Sequence, residues 1–309
     1  MKFAQFALDN PTSVSSGRGM REVPVDLEAC LASALGRSVC VRSSLQLQMR
    51  QSHTGVRLVY HVVLDDVDVL VKLRNDRPYC RESLFYRYVL KDGFQIAPQF
   101  LGASRYKNWS VLVLEYLQGA RAPTPDRPED AQEVAELLNR LHTLYTASTR
   151  SDLLAATGWG SERVCDELFP DPVDEYGILD DLYRSLSTCE DRSVRATIEE
   201  QIPSLASAIC ESPLVLDHGD IRPENILFHG RSNRFVDFEN AGVRRQSMAL
   251  AMAIRNWPEL APYLIGTFTP RPVKAADIWI RARELRGQTA SGAQWKELAR
   301  FVVHTNSGG

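Results

Sequence analysis

What the 309-residue sequence lacks narrows its class before any motif is read. A formal net charge of -3 supplies no global basic field, so a nucleic-acid partner is not expected. The chain is too apolar to be a disordered acidic segment: its hydrophobic share is 44% and its charged share 24%. Six scattered cysteines form no C-x-x-C pair and have no histidine at ligand spacing, which predicts incidental reduced thiols. No apolar run approaches the length that crosses a bilayer. The opening Met1-Lys2-Phe3-Ala4 soon meets Asp9, Asn10 and Pro11, which is not a secretory core. Internal repeats and extended low-complexity tracts are missing as well. These absences predict a cytoplasmic protein with neither membrane nor nucleic acid as partner, and they leave its oligomeric state open.

What is present is a change of pattern along the chain. Residues 1–24 read as a polar leader with clustered serine and glycine. Asp26 is an N-cap candidate for a short helix that stops at Gly36. Val56–Leu64 and Val67–Leu73 then read as antiparallel strands about an Asp65-Asp66 turn. A helix near Arg81–Lys91 and strands at Gln99–Ser104 and Ser110–Tyr116 follow. Beyond Gly119, prolines at 123, 125 and 128 mark a linker, and Glu129–Leu144 reads as an amphipathic helix. The remainder is mostly helical, interrupted by one strand-turn-strand at Ile226–Phe238. The expected fold is α+β and bilobal: a small β-rich N-terminal lobe over 25–118 and a larger, mainly helical C-terminal lobe over 119–309.

Chemistry concentrates in His218-Gly219-Asp220-Ile221-Arg222-Pro223-Glu224-Asn225. Phosphoryl transfer needs a carboxylate to orient the acceptor hydroxyl and oxygen ligands that hold magnesium against the phosphates. The Asp-x-x-x-x-Asn spacing supplies both, with Asp220 facing the hydroxyl and the Asn225 amide oxygen on the metal. Asp237, directly after the predicted hairpin, is the candidate for the second metal ligand.

Leu214–Asp220, Asn225–Phe228 and Val236-Asp237-Phe238-Glu239 together resemble the aminoglycoside phosphotransferase and choline kinase group, whose fold is protein-kinase-like. The resemblance covers roughly residues 40 to 257. It implies a strand lysine on the nucleotide phosphates and a helix glutamate that positions it. Lys72, within the apolar run Val69–Leu73, and Glu82 match those roles, since a lysine buried there is costly unless paired. Read without the downstream motifs, Lys72 would pass for an edge-strand surface residue. The run Val111–Gly119 resembles the family's hinge, where main-chain groups of Glu115 and Leu117 would bind the nucleotide base. Arg50–Val56 takes the place of the phosphate-covering loop with a single glycine; Ser52, Thr54 and the Gly55 amide would donate to phosphate oxygens. Arg222 would neutralise charge on the transferred phosphoryl group, or is a surface arginine of the loop. His218 and His142 read as structural. Glu239 is either a further metal ligand or a group behind the ligands.

The resemblance weakens after Glu239. The family continues Gly-x-Pro-x-x-Asp-Leu, whereas this chain reads Gly242-Val243-Arg244-Arg245-Gln246-Ser247, so Ser247 is expected to cap the next helix. The acceptor site is correspondingly hard to read. Acidic residues over 166–176 and at Asp180-Asp181 would attract a cationic acceptor such as an aminoglycoside, or are a solvated face. Arg244 and Arg245 favour a neutral or anionic one. The sequence therefore predicts a kinase moving the γ-phosphoryl group of ATP or GTP, with Mg, to a hydroxyl of a small acceptor. An antibiotic, an amino alcohol or a sugar all fit, and a non-catalytic nucleotide-binding scaffold is the alternative of a different class.

Overall fold

The computed structural model describes residues 25–52, 55–65, 67–75, 81–90, 95–144, 174–230, 232–265, 270–288 and 290–306. They divide into two compact units, each assembled from separate stretches of chain. The first holds the described residues up to Thr124 together with Pro223–Asn240; the second holds those of 125–222 and from Ala241 onward. The predicted leader, and the acidic run up to residue 173, lie outside the described residues.

The first unit opens with α1 (Leu27–Leu35). Asp26 caps it by accepting from the Ala29 amide at 3.0 Å, and Gly36 ends it at φ 66°. Five antiparallel strands follow: β1 (Ser43–Ser52), β2 (Gly55–Val63), β3 (Asp68–Arg74), β4 (Phe100–Tyr106) and β5 (Trp109–Glu115). They pair in the order β1-β2-β3-β5-β4, with α2 (Arg81–Tyr88) between β3 and β4 in sequence. Alternation along the strands sorts the side chains. Leu58 and Val62 of β2 and Val69, Val71 and Leu73 of β3 enter one core with Cys30 and Leu31 of α1. Each such side chain, fully buried, contributes roughly 1.5–3 kcal/mol. Arg57 and Val59 of β2 and Leu70, Lys72 and Arg74 of β3 therefore share the opposite face. The helix lies against β4 at Gly102, where a Cβ would fall 2.3 Å from the Ala34 carbonyl oxygen.

A remote hairpin completes this unit. Strands β7 (Ile226–His229) and β8 (Ser232–Phe235) turn near Gly230 at φ 61°. Phe228 and Arg121 exchange two main-chain hydrogen bonds at 2.8 and 3.0 Å. The Phe235 amide donates to Ile96 O at 2.6 Å, and Arg234 donates to Ala97 O at 2.8 Å.

The second unit begins with α3 (Pro128–Thr143), whose Ala131, Val134, Leu138 and Leu141 are buried at helical spacing. Helices α4 (Glu175–Leu186), α5 (Arg192–Glu199) and α6 (Ile202–Glu211) precede β6 (Leu214–Asp217). After β9 (Gly242–Arg245) come α7 (Gln246–Asn256), α8 (Ala261–Ile265), α9 (Pro270–Gly287) and α10 (Gly292–Asn306). Helix α9 packs against α4, α6, α7 and α10. No helix among the described residues is long and apolar enough to cross a membrane. The four described cysteines form no disulfide.

Two expectations for this region are corrected. Besides the hairpin, β6 pairs antiparallel with β9, from Leu214 opposite Arg245 to Asp217 opposite Gly242. Ser247 does not cap α7 either, because it already lies inside the first turn. The orphaned amides find partners in the segment before β6: Gln246 N donates to Pro213 O at 2.8 Å and Ser247 N to Ser212 Oγ at 3.3 Å.

Candidate active site

On β3, Lys72 lies opposite Val59 on one side and Leu112 on the other, which fixes its direction away from the α1 core. Its ammonium reaches Glu82 Oε1 on α2 at 2.7 Å and Asp237 Oδ1 at 3.5 Å. Burial pushes the Glu82 carboxyl above its usual range, Lys72 pulls it back, and Asp237 and Glu239 push it up again. Three groups that the sequence scatters over 166 positions thus meet through one strand, one helix and one hairpin.

The hairpin sets the geometry of the remaining groups. A 3-10 turn, Pro223–Asn225, leads into β7, and the Val236 amide donates to Asn225 O at 2.9 Å, so Asn225 and Asp237 flank the hairpin base. Asp237 adopts φ 67°, a left-handed conformation uncommon outside glycine. Phe238 stacks on Phe85 of α2 at 5.0 Å and meets Tyr86 edge-on at 5.5 Å. Glu239 turns to Arg57 at 2.8 Å and Arg74 at 3.3 Å rather than toward Lys72.

Beside Lys72 is a mostly apolar cavity of about 60 Å³. Leu47, Leu70, Leu114, Glu115, Leu117, Leu227 and Val236 line it. The Glu115 side chain is structural: its Oε2 accepts from Gln99 N at 3.0 Å and lies 3.6 Å from Arg234. In the main chain of the same stretch, the Glu115 amide donates to Gln99 O at 2.9 Å and Leu117 O accepts from Ala120 N at 3.2 Å. The stretch read as a phosphate loop is largely strand, since Arg50 pairs with Arg57, Gln51 with Val56 and Ser52 with Gly55. Gly55 stands at the hairpin end, whereas Thr54 and the Ser52 side chain lie outside the described residues.

In the second unit β6 delivers a buried Asp217 and a fully buried His218, then turns through Gly219 at φ 80° into Asp220. Asp217 pairs with Arg244 at 3.2 Å, and Arg222 Nε stands 2.7 Å from Asp220 Oδ1. Burial drives the pKa of His142 down to about 4, with Asp217 pulling the other way. Several of the described cues to acceptor charge have partners within the fold. Asp174 caps α4, Asp180 pairs with Arg184, and Asp181 pairs with Arg283 and Arg286 at 3.0 Å. Arg244 is taken by Asp217, and Arg245 donates to Ser212 O at 3.2 Å.

Sequence reasoning missed Arg57 and Arg74. The signal was available, because Arg74 follows Lys72 by two positions on a strand and must share its face.

A lysine on a five-stranded antiparallel sheet, paired with a helix glutamate, met by an aspartate from a hairpin and set beside an apolar cavity, defines a kinase-like phosphotransferase. The phosphotransferase enzyme family, APH, matches by its family model over residues 57–275. This chain belongs to that family and is a phosphotransferase acting on a hydroxyl acceptor. Among solved structures it is similar to a choline/ethanolamine kinase family protein from Mesorhizobium loti, at 17% identity and TM-score 0.50, over 91% of this chain and 93% of that one. It is also similar to a thermostable mutant of aminoglycoside phosphotransferase APH(4)-Ia in a ternary complex with AMP-PNP and hygromycin B. There the identity is 13% and the TM-score 0.53, over 92% of this chain and 100% of the other. At these identities the likeness shows the protein-kinase-like fold. No curated protein matches the chain in sequence.

Proposed function

We propose that this protein transfers the γ-phosphoryl group of a purine nucleoside triphosphate to a hydroxyl of a small acceptor by in-line displacement. The observation that carries the reading is the contact of Lys72 with both Glu82 and Asp237 at the edge of an apolar cavity. Lys72, held by Glu82, would orient the nucleotide phosphates. The cavity would take the base, with main-chain groups of Glu115 and Leu117 at its edge. ATP is the expected donor, supported by the AMP-PNP in the similar APH(4)-Ia complex, and GTP is its competitor.

Asn225 and Asp237 offer an amide and a carboxylate oxygen on either side of one main-chain hydrogen bond, a donor set suited to Mg²⁺. When bound, the ion would share the phosphate oxygens and offset the charge that builds on them. Asp220 takes its part from the sequence motif: it would align the acceptor hydroxyl and receive its proton. Arg222, paired with Asp220, would hold that carboxylate in orientation. The acceptor is proposed only as a small alcohol. Of the described residues that pointed to its charge, Asp180, Asp181 and Arg244 sit in ion pairs, and Asp174 and Arg245 bond main-chain groups.

The test separates binding from transfer. Asp220→Asn should keep nucleotide affinity and lose about 10²–10⁴-fold in turnover, the usual share of a positioned acid or base. Asp237→Ala should weaken magnesium-dependent nucleotide binding and abolish transfer. A panel of aminoglycosides, nucleosides, amino alcohols and sugars, each offered with ATP and with GTP, assigns donor and acceptor. Full turnover in either variant overturns the assignment. Nucleotide binding by the wild type with no transfer to any acceptor would instead favour the scaffold.

A further inference from the structure

Glu239 follows Asp237 by two residues, and by sequence it is a candidate metal ligand. Its carboxylate is spanned by two guanidinium groups. Oε2 accepts from Arg57 Nη1 at 2.8 Å, and Oε1 accepts from both terminal nitrogens of Arg74 at 3.3 Å. Arg57 and Arg74 stand directly opposite each other in the β2–β3 register. Like charges so placed repel, and Arg74 is only 8% exposed, where water screens little. An anion between them removes the conflict, and Glu239 is that anion.

The location gives this clamp a purpose. Lys72 shares the strand face of Arg74, two residues earlier, and its ammonium touches Asp237. Asp237 itself is held at φ 67°, a conformation that persists only where the surroundings impose it. On one side of it Phe235 is tied to Ile96 O through its amide. On the other, Phe238 is gripped by Phe85 and Tyr86, and Glu239 by β2 and β3.

We propose that Glu239 is a positioning residue: with Arg57 and Arg74 it ties the turn after Asp237 to the β2–β3 strands, fixing the Asp237 carboxylate against Lys72 without itself holding metal. The inference rests on the part given above to Asp237. It also explains why a sheet with a phosphate-facing lysine carries two further arginines in register beside it.

The experiment uses the full chain with Glu239→Gln, Arg57→Gln and Arg74→Gln, singly and in pairs. Melting temperatures without metal or nucleotide give a double-mutant cycle for the clamp. Magnesium titrations of nucleotide binding, and kcat and KM for transfer, give its consequence. The three single variants should lose kcat alike, by about 10–100-fold, the usual effect of removing a group that orients a ligand. Acceptor KM should stay unchanged, pairs should be no worse than singles, and Arg74→Lys should recover part of the loss. A magnesium requirement raised about tenfold or more in Glu239→Gln alone, with both arginine variants unaffected, makes Glu239 a ligand and overturns the proposal. Additive melting losses, or unchanged kcat in all three, overturn it as well. Because Glu239→Gln leaves two facing arginines, Arg57→Gln/Glu239→Gln serves as the variant that keeps its fold. Asp237→Asn is the control: nucleotide binding as in the wild type there refutes the part given to Asp237, while the melting cycle still judges the clamp.

Discussion

His142 shows how one side chain makes stability depend on pH. It is buried in the second unit, neither ring nitrogen makes a hydrogen bond within the described structure, and its pKa is lowered to about 4 from 6.5. An unfolded chain takes up a proton there as pH falls through about 6.5, whereas the folded chain resists until about 4. The unfolded state thus binds more protons in that window, and stability must fall with pH. The contribution is fully present above 6.5 and is lost on the way down to about 4, amounting to on the order of 3 kcal/mol. His142→Gln should flatten the acid limb of a plot of denaturation midpoint against pH between those values. An unchanged limb would show that other groups govern acid unfolding. Glu82 runs with the opposite sign. Its raised pKa makes any contribution greatest below its ordinary pKa and smaller as pH rises, with Lys72 limiting the loss.

Among the elements, α1 and β4 meet with no room to spare. Gly102→Ala would drive a methyl group into the Ala34 carbonyl, a main-chain atom that cannot rotate away. The expected cost is about 1–3 kcal/mol, read as a lower urea midpoint with an unchanged slope. Legibility at this scale followed the range of the determining interactions. The cap at Asp26, the stop at Gly36 and the alternation of β2 and β3 are local, and the sequence displays them. Strands β6 and β9 have four residues each and find one another across the whole hairpin, so neither carries a pattern of its own. The amides at the start of α7 are answered by Ser212 and Pro213, more than thirty positions away. For the same reason Lys72 and Glu82 could be paired from sequence, ten residues apart, whereas Arg57 with Glu239 could not.

Across the whole molecule, the meeting of Lys72, Glu82 and Asp237 was legible because phosphoryl transfer demands particular residue types at particular spacings. The acceptor side was not, because charge counts do not reveal which charges already have partners. Asp181 with Arg283 and Arg286, and Asp217 with Arg244, look in the sequence like surplus charge. The chain also crosses from the second unit to the first between Arg222 and Pro223, and back between Asn240 and Ala241. A fragment ending at Thr124 therefore lacks the hairpin that satisfies Ile96, Ala97 and Arg121 and covers Phe85. Alone it should show weak, non-cooperative unfolding, and a peptide of residues 223–240 should restore a sharp transition; a cooperative melt without the peptide would refute this. The same feature sets an order of events at the ribosome. Synthesis runs from the N-terminus at about 5–20 residues per second. The first unit must therefore wait, incomplete and with apolar surface open, until the chain has emerged past Asn240. Its assembly is obliged to follow much of the second unit, although its sequence comes first.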